Sequence, residues 1–191
     1  MDLPIYKLVI DESEDSGVTA IALVDKPAIE LNWHTFKEQY KFKADTERRI
    51  ISGALMVADL PIYRNDNQYG EHYVMFTKDV IEKIVYKFAK QSNHTSVNKM
   101  HQENLTADGV YLFESFIIDK ERGILTPKGY EELPDGSWFG SMKVENDEIW
   151  NDFIKNGVYK GFSVEGYFKP QPLNEDENTI NEVLRQLAHS L

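Results

Sequence analysis

Residues 160–168, Lys-Gly-Phe-Ser-Val-Glu-Gly-Tyr-Phe, read as a short β-strand with a small hydroxyl at its centre. Phe162, Val164 and Phe168 supply the apolar and aromatic character of a strand, and Gly161 and Gly166 leave room for another backbone or a ligand to approach. A serine presented between bulky neighbours is one way to display a nucleophile, but a serine hydroxyl needs a base to become one. Most strand serines are small, satisfied residues, so the pattern leaves both readings of Ser163 open. The candidate bases are few: the chain has no cysteine and five histidines, His34, His72, His94, His101 and His189.

Working outward, 191 residues fit one domain with an appended tail: residues 1–170 as the domain, and 171–191 as a linker and C-terminal helical tail. At 41% hydrophobic and 12% aromatic the chain is globular in class. A formal charge of −11 argues against nucleic acid as a partner, since phosphate binding needs a basic face. The absence of cysteine excludes disulfides, thiolate catalysis and cysteine-ligated zinc. No window approaches the roughly 20 apolar residues of a membrane span, and residues 1–4 show no secretory signal, so no membrane is expected.

Strand patterns fall at residues 5–10, 18–24 (VTAIALV), 36–42, 49–57, 71–76, 110–118 and 137–144, with a bulge expected at Ser52-Gly53. Thr77 is a good N-cap for a helix over 78–90, in which Val80, Ile81, Ile84, Val85 and Phe88 share one face. A short amphipathic helix is expected at 147–155, and 91–105 reads as loop. Pro170-Gln171-Pro172 breaks the pattern before a separate helix over 174–191. Many short strands with two or three helices describe a β-rich α+β domain.

No phosphate loop, dinucleotide fingerprint or metal-ligand spacing is present, so no cofactor or metal is expected. A serine hydrolase is the remaining catalytic reading. His101, behind the apolar anchors Val97 and Met100, is the first candidate base, and His94 is the second. Two carboxylates suit the role of orienting the imidazole. Glu114 interrupts an apolar strand, and Glu165 lies two residues beyond Ser163 on the same strand face. For each, an exposed strand carboxylate is the competing reading.

Taken in order, GVTAIALVDKPAIELNW, ISGALMVADLPIYR, YVMFTKDVIEKIVYKF, NHTSVNKMH, GVYLFESFIID, LPDGSWFGSMKV and KGFSVEGYF resemble the XkdF-like prohead proteases of tailed phages and prophages. The resemblance runs over about residues 15–169. It implies a herpesvirus-assemblin-like serine protease, a barrel-like β core with flanking helices. Such enzymes work inside the immature capsid in the host bacterial cytoplasm. There they cut scaffold or major capsid protein segments, often themselves, and related enzymes form homodimers. By position, Ser163 matches the nucleophile and His101 the general base. In related enzymes an acidic residue follows the serine, within a strand ending in a Leu-Val-Asp-x-Pro-Ala type sequence. Here the like sequence ALVDKPA is N-terminal, which suggests a permuted order, and Ala20 stands where the acid would fall. The resemblance therefore leaves the acid to be supplied elsewhere, with Glu114 the first choice and Glu165 the second. The alternative from another class is a non-catalytic capsid- or scaffold-associated protein that keeps the fold.

Overall fold

The computed structural model describes residues 3–13, 16–25 and 41–173. The strand expected at 36–42 lies almost wholly outside these, as do the tail helix at 174–191, His34 and His189. Twelve strands are described: β1 (Ile5–Val9), β2 (Gly17–Val24), β3 (Lys43–Asp45), β4 (Ile50–Met56), β5 (Ile62–Asp66), β6 (Gly70–Met75), β7 (Val97–Lys99), β8 (Gln102–Thr106), β9 (Val110–Ile117), β10 (Trp138–Val144), β11 (Gly161–Tyr167) and β12 (Lys169–Pro172). They form three four-stranded sheets, in the orders β12-β1-β6-β5, β3-β4-β10-β9 and β11-β2-β7-β8. The chain is β-rich, as expected, but the expected barrel is not there. Among the described residues each sheet is open, ending in short edge strands such as β3 or β12 whose outer sides carry no ladder.

The helix α1 (Lys78–Lys90) begins after Thr77, as its spacing predicts, and buries Val80, Ile81, Ile84, Val85 and Phe88. Each such side chain contributes about 1.5–3 kcal/mol when fully removed from water. Phe88 meets the fully buried Trp138 edge-on at 5.1 Å, which seats α1 on β10. Trp138 Nε1–H donates to Ser115 Oγ at 2.9 Å, so the indole is buried without an orphan donor. The expected helix at 147–155 is present but widens to a π turn over Ile149–Ile154, where Lys155 N–H reaches back five residues to Trp150 O. Trp150 and Ile149 join the same core.

Three local expectations are corrected. The irregularity in β4 is not at Ser52-Gly53. It lies opposite Trp138 and Phe139, which pair with Met56 and Ala54 and leave Leu55 as the extra residue. Gly53 instead allows close approach, since a Cβ there would sit 3.1 Å from Phe42 Cα. Pro170-Gln171-Pro172 does not break the fold but pairs antiparallel with β1, and an edge strand tolerates proline. That ladder crosses the 170/171 boundary. Finally, 91–105 is not loop: it holds a 3-10 turn at Asn93–Thr95, then β7 and most of β8.

Candidate active site

The third sheet carries the site. β2 lies at its centre, antiparallel to β11 on one side and parallel to β7 on the other. Its run VTAIALV alternates Ile21 and Leu23 toward the core with Ala20 and Ala22 on the opposite face. The register sets Ser163 opposite Ala22, and Ala22 opposite Asn98. Glu165 stands opposite Ala20. Ser163, Ala22 and Asn98 thus form one row across three strands, with the two outer residues about 10 Å apart over an alanine. Glu165 stands about 6.7 Å from Ser163 along the same face of β11. Phe162 and Val164 point the other way and anchor β11 in the core, Phe162 against the Phe42 ring at 5.4 Å.

A bulge between Glu165 and Gly166 breaks the β11–β2 register. It is possible only with glycine, because a Cβ at 166 would fall 1.8 Å from Gly17 O. Bulges turn neighbouring side chains off the regular pleat, and here the neighbour is Glu165.

His101 comes from the other side of the row. β7 and β8 pair through Lys99 and Gln102, so Met100 and His101 alone make the turn. Both have positive φ, 55° and 57°, the handedness of a type I′ turn, which ordinarily selects Asn and Gly. Holding two ordinary residues there costs on the order of 1–3 kcal/mol each. The turn is fixed to the sheet by Met100 N–H, which donates to Leu23 O at 3.0 Å. It carries the imidazole back over the sheet, where Nδ1 lies 2.9 Å from Glu165 Oε1. A carboxylate only accepts, so the proton in this bond belongs to Nδ1, and it is the neutral form of the ring that has its lone pair on Nε2. The imidazole is about half in water, at 45% exposure, whereas the Glu165 side chain is 19% exposed.

Asn98 completes the arrangement. Its Nδ2–H donates to the same Glu165 Oε1 at 2.8 Å. Its Oδ1 is buried and, among the described residues, has no hydrogen-bond partner. Such an orphan costs about 1–3 kcal/mol. Ser163 is itself buried, at 5% exposure.

A histidine oriented through Nδ1 by a carboxylate, with a serine on the same sheet face, is the grammar of acyl transfer by an activated serine. The residues around it match a family model described as "Putative phage serine protease XkdF" over residues 39–170. The chain belongs to that family. The XkdF match contains Ser163, His101, Asn98, Glu114 and Glu165, while β2, the floor of the site, precedes it. No curated protein and no solved structure matches the chain. The herpesvirus-protease likeness of the fold therefore has no structural match behind it.

Of the two acids weighed for this XkdF-family chain, the structure brings Glu165 to His101. Glu114 is elsewhere: it lies on β9 in the second sheet, opposite Ser141, exposed and facing an open cavity of about 560 Å³. A carboxylate in an apolar strand drew notice in the sequence, but there it faces water on the solvent side of its sheet. His94 is exposed in the 3-10 turn. His72 is buried between the Tyr6 and Tyr69 rings, and its Nδ1 bonds Gly70 O at 2.9 Å, a packing role. Asn98 was missed. Its one sequence signal is its place three residues before His101 in NKMH.

Proposed function

We propose that this chain is a capsid-maturation serine endopeptidase of a tailed phage, acting inside the immature capsid on scaffold or major capsid protein segments and on itself. The observation that carries the reading is the 2.9 Å contact of His101 Nδ1 with Glu165 Oε1, two residues along the strand from Ser163. In this reading Ser163 Oγ attacks the peptide carbonyl carbon as its proton passes to His101 Nε2. The C=O electron pair moves onto oxygen. Collapse of that oxyanion breaks the C–N bond, and His101 returns the proton to the departing amine. Water then repeats the sequence on the acyl-enzyme, releasing the new carboxyl terminus and restoring Ser163. Glu165 holds the imidazole in the required tautomer and offsets the positive charge it acquires.

Co-expression with the phage's own major capsid protein, followed by intact mass analysis of both chains, tests the proposal. Wild type is expected to shorten the capsid protein, and Ser163→Ala and His101→Ala to leave it whole. Equal capsid masses in all three refute it. The burial of Ser163 favours the rival, a non-catalytic capsid- or scaffold-associated protein. On that reading wild type cuts nothing and takes no fluorophosphonate label at Ser163.

A further inference from the structure

We infer that Asn98 is a positioning residue of this site, acting on His101 through Glu165; the inference rests on the protease reading above. Glu165 Oε1 accepts two hydrogen bonds, from His101 Nδ1 at 2.9 Å and from Asn98 Nδ2 at 2.8 Å. A carboxylate oxygen cannot donate, so it fixes which way the Asn98 amide faces, with Nδ2 toward Glu165 and Oδ1 away. The amide in return fixes the carboxylate. Asn98 sits mid-sheet and is buried, so it holds Glu165 from a rigid strand, while His101 reaches the same oxygen from an exposed turn.

The position would be filled more stably by an apolar residue. Asn98 pairs with Ala22 in a sheet row, where a β-branched side chain fits, and its Oδ1 is left buried with no partner among the described residues. A side chain kept for folding alone would not leave that acceptor empty. Asn98 therefore serves the site at the expense of the sheet, the pattern expected of a residue retained for function.

The test uses the full chain and a fluorophosphonate as the serine probe, read by intact mass. Asn98→Val is expected to melt at or above the wild-type temperature and to label Ser163 about 10- to 100-fold more slowly at saturation, the effect of losing one hydrogen bond to a charged group. Half-saturation by the probe should stay within twofold. In a Glu165→Ala background, where no carboxylate remains to be held, Asn98→Val should slow labelling no further. Wild-type labelling by Asn98→Val, or an equal loss in both backgrounds, overturns the inference. Asn98→Ala repeats the comparison if the valine chain does not fold. A second readout is independent of activity, the downfield proton resonance of His101 Nδ1–H. It should shift and exchange faster in both variants, and an unchanged resonance refutes the role of Asn98. Failure of the protease reading itself looks different: wild type takes no label while the resonance still responds to Asn98.

Discussion

Replacing Glu165 with glutamine removes one negative charge and changes almost nothing else in shape. The glutamine amide has two orientations, and Asn98 chooses between them. With Oε1 toward Asn98, the side chain still accepts from both Asn98 Nδ2 and His101 Nδ1, at the positions now 2.8 and 2.9 Å from the oxygen. The reverse orientation sets two N–H donors face to face. On the proposed protease reading, the imidazole thus keeps its tautomer and loses only the charge that would offset it on taking the serine proton. Unit charges 4 Å apart attract by about 1 kcal/mol in water and about 4 kcal/mol at a partly buried site. With half of the imidazole in water and the carboxylate mostly covered, the loss is about 2.5 kcal/mol, or roughly 10²-fold in rate. The wrong tautomer would instead cost about 10⁴-fold, the size known from the chymotrypsin-type triad. Glu114→Gln, in the other sheet, should label within twofold of wild type. The assay is the rate of fluorophosphonate labelling at Ser163 in the three chains. A Glu165→Gln rate within threefold of wild type, or an equal fall in Glu114→Gln, refutes the reasoning.

Other perturbations follow from the same geometry. Gly166→Ala drives a Cβ into Gly17 O and should destabilise by about 3 kcal/mol, the upper end for overpacking, read as a lowered urea midpoint; an unchanged midpoint would mean that the bulge relaxes freely. Met100→Asn suits the positive φ of the turn, and Met100 is 38% exposed, so the chain should gain about 0.5–1 kcal/mol with labelling unchanged. Asp59 also has a positive φ, 56°, and burial, reinforced by Asp79 and opposed by Lys78, raises its carboxyl above the ordinary 3.8. The folded state then holds that proton more tightly than the unfolded one, so stability drains as pH rises from 3.8 through the raised value. Asp59→Asn should melt higher than wild type at pH 7 and level with it below pH 3.8; a pH-independent gap would contradict this.

The elements legible in the sequence were those whose own residues decide them. α1 has five apolar residues at helical spacing, and β2, β10 and β11 have dense apolar runs, so local pattern and tertiary burial agree. The β7–β8 hairpin was not legible, because β7 has three residues and its turn is Met100-His101, which no turn preference selects. Ser163 and His101 stood out because few residue types do that chemistry. The choice between Glu114 and Glu165 needed the register, which alone sets one beside β2 and the other beside Ser141. The open sheets, likewise, are a matter of which strand ends meet, and no single segment encodes that.

The position of β2 also governs the order in which the site comes into being. Its partners β7 and β11 follow it by roughly 75 and 140 residues, so the most deeply buried strand of the sheet is synthesised long before either neighbour. Until they arrive, its backbone donors and acceptors are an unclaimed template, and closing such distant loops puts this sheet among slow, non-local folders. Ser163 and His101 are thus brought to one sheet only at the end of folding, through a strand that itself carries neither. A nascent or half-folded chain therefore lacks the candidate site, which is assembled only once the sheet is whole.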